Sequence, residues 1–228
     1  MGTSSARRAP TTWLWRRAKG AATRYLAPEG GTGLEAREVV ARYLAALEGD
    51  AEPGNQGLLA GFRLTRKAGQ NLGAFVGEVA SQGWDAALAA WGITEETGQS
   101  KDIAAPALAG ALMETDGSLE GAVACSSLAA VLHGFGVSEQ AEPTQVVTQF
   151  LAEALYQRLI LDLGEPLEAA SRSYGHWQKG LDGLRSWIVK TGAMEGREEP
   201  PPPEQWRGLA GWNWVTLSME KMLQRLLE

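Results

Sequence analysis

The sequence holds one cysteine, Cys125, and two histidines, His133 and His176. A single thiol excludes an internal disulfide. The histidines stand in Leu132-His133-Gly134 and Gly175-His176-Trp177, outside any HExxH spacing. With Cys125 they complete no zinc-ligand pattern, so neither metal nor cofactor is expected. GxSxG, CxxC, GxxxxGK[ST] and protein-kinase signatures are missing as well. No run of about 18 apolar residues exists, which excludes a membrane-spanning helix. The first residues are basic but lack the apolar core of a signal peptide, because charge interrupts Trp13 to Gly20. A cytoplasmic address without membrane attachment is expected. Acids are missing too until Glu29.

That last absence shapes the chain. Arg7, Arg8, Arg16, Arg17, Lys19 and Arg24 are six of the 21 basic residues, and they precede all 27 acidic ones. The remainder therefore carries 15 basic against 27 acidic groups, a net of −12. A positive arm precedes an acidic body. The body's charge disfavours broad coating of nucleic acid, although the arm alone suits a phosphate backbone. Gly2, Thr3, Ser4 and Ser5 bring no apolar group to bury, so residues 1–12 read as a flexible tail that another molecule can grip. The hydrophobic content of 44% and nine tryptophans argue that the rest folds. A length of 228 residues accommodates one large domain or two small ones.

Helical spacing recurs throughout, and no convincing strand alternation does. Thr12 is a plausible cap for a helix over Trp13–Leu26, with its basic residues outward and with Trp13 and Tyr25 as anchors on the body. Pro28 to Gly33 reads as a linker. A second helix is expected over Leu34–Leu47. A third is expected over Gln56–Val79, with an apolar stripe through Leu58, Phe62, Ala68, Leu72, Phe75, Val76 and Val79. Gly61, Gly69, Gly73 and Gly77 would share one face of it and admit a close helical neighbour, while Arg63, Arg66 and Lys67 would lie on its polar side. Short helices follow over Trp84–Trp91 and from Ile103. A further helix over Leu119–Leu132 would bury Ala122, Ala124, Cys125, Leu128, Ala129 and Leu132, and His133 would cap it. Pro143 opens a long helix to Leu163, stopped by Gly164, with Phe150, Leu151, Ala154 and Leu155 inward. Leu167–Tyr174 is a short continuation, and Trp177 to Ile188 or Val189 and Trp212–Leu227 are the last two helices. The final helix is apolar on more than one face, which fits deep burial or contact with a partner. Between them the four prolines 200–203 form an extended spacer. The fold class is all-α, an irregular multi-helix domain, with an N-terminal helical region over 13–133 and a C-terminal one over 143–228.

Chemistry is harder to find. An acidic protein carries most carboxylates on its solvated surface, and adjacent pairs such as Glu95-Glu96 or Glu198-Glu199 do not make a general acid–base couple. Cys125 reads as a core residue with no base nearby in sequence. The chain is not expected to be an enzyme.

The opening Met1-Gly2-Thr3-Ser4-Ser5, the run Trp13–Tyr25, the glycine break and Val39–Leu47 resemble the QatB family of the Qat antiphage defence systems. The likeness continues through Arg66–Gly83 and Ala154–Ile160. The resemblance implies an accessory component without an enzyme fold. It implies partners too: a P-loop ATPase, an enzyme like the 7-cyano-7-deazaguanine synthases, and a TatD-like nuclease. The synthase-like partner would join a deazaguanine base to the N-terminal glycine. The matching position is Gly2, exposed by removal of Met1. Thr3, Ser4 and Ser5 would lie in the partner's channel, and Arg7 and Arg8 would dock on its acidic rim. The residues are compatible with that role. Glycine permits methionine removal and leaves its amine uncrowded, and an unperturbed α-amine titrates near ~8, so part of it is neutral at pH 7.

Two functions result from this reading. The leading one is a non-enzymatic defence component, a helical scaffold whose Gly2 is presented for modification through protein–protein interaction. The alternative is a nucleic-acid-binding adaptor that uses the basic arm. Arg16, Arg17, Lys19 and Arg24 are candidate contacts for a phosphate backbone or a partner under either.

Overall fold

A computed structural model describes residues 12–27, 35–49, 57–94, 98, 101–113, 117–135, 141–193 and 199–228. Among the described residues the chain is all helix and has no strand. The helices are α1 (Trp13–Tyr25), α2 (Ala36–Gly49), α3 (Arg63–Gln82), α4 (Trp84–Ala90), α5 (Lys101–Ala111), α6 (Leu119–Phe135), α7 (Pro143–Ala170), α8 (Tyr174–Gly192) and α9 (Leu209–Leu227). Two 3₁₀ turns, Gly57–Phe62 and Pro203–Gln205, precede α3 and α9. The irregular all-α architecture expected from periodicity is the observed one.

Helices α3 and α7 are neighbours at the centre. Around α7 pack α1, α6, α8 and α9, and around α3 pack α4, α6 and α9. Helix α2 joins α1 to α8 and α9, and α5 rests on α6. One apolar cluster runs from Trp15 to Leu226 and takes side chains from both sides of the 134–143 break.

Helix α7 explains its own position. Pro143 occupies its first turn, where a missing N–H costs nothing. Phe150, Leu151, Ala154 and Leu155 are completely buried, as their spacing predicts. The helix does not stop at Gly164; it continues through Pro166 to Ala170. Leu163 and Leu167 are fully buried on either side of that proline. Their packing holds the last turns despite the lost N–H, and tertiary contact overrides propensity.

Helix α3 departs from expectation in three ways. Its expected first turns are a 3₁₀ segment, beginning at Gly57 with φ +58°, and α3 proper starts at Arg63. The glycine face does not receive a helix along its length. Gly69 lies against Val215 of α9, but a Cβ at Gly73 would overlap the Trp206 ring, Gly77 faces Pro203, and Gly61 opens on empty space. The segment leaving the proline run therefore lies along this face, with Trp206 only 1% exposed. Gln70 fixes it there, donating from Nε2 to the carbonyls of Trp206 (2.9 Å) and Gly208 (2.7 Å).

Third, Arg66 is not on a solvated polar face: it is 6% exposed. Its guanidinium donates to the carbonyls of Phe62 and Leu59 and to Thr216 Oγ1, and lies over the Trp212 ring. The guanidinium thereby ties α3 back to the 3₁₀ segment before it and across to α9. Thr65, which interrupts the apolar stripe, is buried as well, and its N–H donates to Glu120 Oε1 of α6 at 3.0 Å. Helix α3 has no capping side chain of its own, so Glu120 supplies the cap from another helix.

Elsewhere Ala122 is exposed rather than buried, Cys125 and Ala129 are half-buried against the core, and α6 runs past His133 to Phe135. In α9, Trp214, Met222 and Leu226 are buried within the chain, which favours the first of the two readings of that helix.

Candidate functional site

The site expected at the N-terminus divides at Thr12. Gly2, Thr3, Ser4, Ser5, Arg7 and Arg8 lie outside the described residues. Arg16, Arg17, Lys19 and Arg24 lie within them, on α1. The Thr12 side chain accepts a hydrogen bond from the N–H of Trp15 (3.4 Å) and begins α1 where the sequence places it.

Helix α1 has two faces of opposite character. Trp15, Ala18, Ala21, Ala22 and Leu26 are buried. Trp13, Arg16, Arg17, Thr23 and Arg24 are exposed, and Lys19 is half-buried at the edge. At 100° per residue the exposed set falls within an arc of about 120°. The expectation that Trp13 anchors the helix fails, because Trp13 is 59% exposed. Trp15 anchors it instead: two positions on, it lies on the alanine side that meets the body.

The inner face is firmly held. The Trp15 ring meets Tyr43 of α2 edge-on, with centroids 5.9 Å apart. The Tyr43 hydroxyl donates to Asp162 Oδ2 of α7 at 2.8 Å, and Arg158 Nε pairs with the same oxygen at 3.1 Å. At the other end the Tyr25 hydroxyl donates to the Gly180 carbonyl of α8 at 3.1 Å, so Tyr25 is an anchor as expected. Burial pushes the Tyr25 hydroxyl up from its ordinary pKa and keeps it a donor. Leu26 fills the space that glycine leaves at position 180, and Leu14 lies over Gly49. Sequence reasoning missed Tyr43, Asp162 and Gly180 as supports; their only sequence signal is a polar or small residue at a position of helical burial.

The outer face is free. Among the described residues no ion pair or hydrogen-bonding acceptor engages the side chains of Arg16, Arg17, Lys19 or Arg24. Arg17 lies over the Trp13 ring, 4.6 Å from its centroid. Helix α1 contains no acid. By contrast Arg158, Arg185 and Arg207 in the body are paired with Asp162, Glu153 and Glu78.

A groove of about 780 Å³ opens between the start of α7, the end of α8, Pro200 and α9. Thr144, Gln145, Thr148 and Gln149 line one wall and Val189, Ala193 and Trp214 another. Glu142 is its one charged residue among the described lining. A lone carboxylate without a cation or histidine beside it is no acid–base couple. Among the described residues no group of three His, Cys, Asp or Glu side chains could hold a metal, and no helix is long and apolar enough to cross a membrane.

Neither the curated proteins nor the solved structures include a match to this chain. A protein-family model does match, described as the Qat anti-phage system associated protein QatB, over residues 54–198. That span holds α3 to α8 and the segments Arg66–Gly83 and Ala154–Ile160, while α1, α2 and α9 lie outside it. The match covers more than half of the sequence, and on that ground the chain belongs to the QatB family, whose members are associated with the Qat anti-phage system.

Proposed function

We propose that this chain is a non-enzymatic helical scaffold of the Qat system, cytoplasmic, whose N-terminal glycine is presented to a synthase-like partner for deazaguanine modification. The observation that carries the reading is the construction of α1. Its inner face is fastened to α2, α7 and α8, while its outer face leaves Trp13, Arg16, Arg17 and Arg24 exposed. A rigid helix directly behind a short tail fixes where the tail begins and spares the partner the entropy of ordering a longer chain.

In the reaction, the neutral Gly2 amine attacks the activated carboxyl carbon of a deazaguanine acid. An amide C–N bond forms, the bond to the activating nucleotide breaks, and the amine loses a proton to solvent. This chain supplies the nucleophile and its placement, and the partner supplies activation. The system's ATPase and TatD-like nuclease would meet the same scaffold elsewhere.

Co-expression with the synthase-like partner, followed by intact and fragment mass spectrometry, tests this. The added mass is expected on residue 2 and is expected to need the partner's nucleotide-binding site. Gly2→Pro should abolish it, because the nucleophile becomes a hindered secondary amine. An unmodified Gly2 beside an active partner, or full modification mapped elsewhere, would reject the assignment.

A nucleic-acid adaptor is the second reading, favoured by the acid-free cationic face of α1. It predicts binding whose logarithm falls steeply with the logarithm of salt concentration and which is lost when the six basic residues of the arm are replaced.

A further inference from the structure

We infer that the outer face of α1 is a docking surface for an acidic patch on a protein partner, with Trp13 and Arg17 at its centre and Arg16 and Arg24 beside them. The inference deepens the proposed presentation of Gly2 and rests on that reading for the identity of its probe. Three observations carry it. Trp13 is 59% exposed, on a helix whose other face packs against the body. Arg17 is held over that ring at 4.6 Å, so a guanidinium and an indole are ordered together before any partner arrives. Arg16 and Arg24 lie on the same arc without a described acceptor, and the helix has no acid to oppose them.

The face asks for an anion, and the anion's form follows from its surroundings. Tryptophan and arginine are the residues that dominate compact protein interfaces, where one or two ordered anchors carry most of the binding. The patch is one helix wide, and the rest of the chain is net −12 from residue 27 onward. A long polyanion running past the helix would meet repulsion, whereas a compact acidic patch on a folded protein would not. Docking here also sets a reach. Gly2 stands ten residue steps before Thr12, so the acceptor amine lies within ~35 Å of the docked helix even when fully extended.

The test uses the full chain and the purified synthase-like protein as the probe, with affinity measured by calorimetry and Gly2 modification by mass spectrometry on the same samples. Trp13→Ala should weaken binding roughly 30-fold, as expected of an anchor residue, and Trp13→Phe should recover most of it. Replacing Arg16, Arg17 and Arg24 together by glutamate should weaken binding roughly 100-fold or more. Unchanged melting temperatures would show that the variants fold, which the exposure of all four side chains predicts. Binding that changes by less than ~3-fold in the charge-reversed variant overturns the docking surface, even if Gly2 is modified normally. Binding lost in that variant while wild-type Gly2 stays unmodified keeps the docking surface and overturns the presentation reading. A wild-type chain that does not bind the probe at all, or that binds a 30-nucleotide single strand through Trp13 and these arginines more tightly than it binds the probe, overturns the inference as well.

Discussion

Among the described residues an arginine lies over a tryptophan ring in Arg17–Trp13, Arg66–Trp212 and Arg207–Trp91, and the first two pairs have nearly the same spacing. Arg17 stands 4.6 Å from the Trp13 ring on α1, and Arg66 stands 4.7 Å from the Trp212 ring between α3 and α9. Their surroundings differ. Arg66 is 6% exposed, and two carbonyls and a hydroxyl take its N–H groups. Arg17 and Trp13 are open to solvent, and no acceptor among the described residues engages Arg17. The same two residue types make a strut in one place and leave a free surface in the other. What separates them is what lies within reach. The 3₁₀ segment before α3 brings the Leu59 and Phe62 carbonyls to Arg66 and α9 brings Thr216, while no described acceptor reaches Arg17.

The comparison can be broken at several points. The largest expected effect is at Trp206, whose ring covers Gly73 and meets Trp214 edge-on at 5.3 Å. Trp206→Ala should lose about 3–5 kcal/mol in denaturant unfolding, because the cavity lies between rigid helices. Arg66→Met comes next. It keeps the apolar stem over Trp212 but removes the hydrogen bonds to the Phe62 and Leu59 carbonyls and to Thr216, and should cost about 1–3 kcal/mol.

Glu120 gives a smaller, pH-dependent effect. Burial is the main cause of its raised pKa, opposed by hydrogen bonds from the Thr65 and Leu64 backbone and by Arg158 and Arg63. A carboxyl with a raised folded-state pKa favours folding fully below its unfolded pKa and loses that contribution as pH rises through the folded value. Glu120→Gln keeps an acceptor for Thr65 and removes the ionisation. Its melting temperature relative to the native chain should therefore rise between acidic and neutral pH. A relative fall over that interval would show that ionised Glu120 is the favoured cap. The smallest effect is expected at the open pair: Arg17→Met should change stability by less than about 0.5 kcal/mol. A loss as large as that of Arg66→Met would erase the distinction.

How much of this is legible in the sequence follows the same division. Regular periodicity carries α7 and α9, and Thr12 with the alanines behind it carries α1. The glycines at 69, 73 and 77 announce a close approach but not its occupant, because Trp206 is far away in sequence and follows a proline run that reads as a spacer. Arg66 reads as surface by charge; nothing local shows that the segment before it folds back to offer two carbonyls and that Thr216 and Trp212 arrive from α9. Gly164 reads as a stop, and the burial of Leu163 and Leu167 that carries the helix past it is tertiary information. Within the candidate site, the outward placement of the α1 cations is legible. So is the exchange of roles between Trp13 and Trp15: at 100° per residue Trp13 falls among the arginines and Trp15 among the alanines, where it meets Tyr43.

Helix α1 is fixed on its inner side, and we propose that it meets the rest of the Qat system on its outer side. Hydrogen exchange of the full chain, alone and with the synthase-like partner, tests it most directly. The account predicts slowed exchange concentrated over residues 13–25 in the complex, with α7 equally protected in both states. Protection that leaves residues 13–25 unchanged and appears instead on another surface of the body, such as α5 and α6, would contradict it.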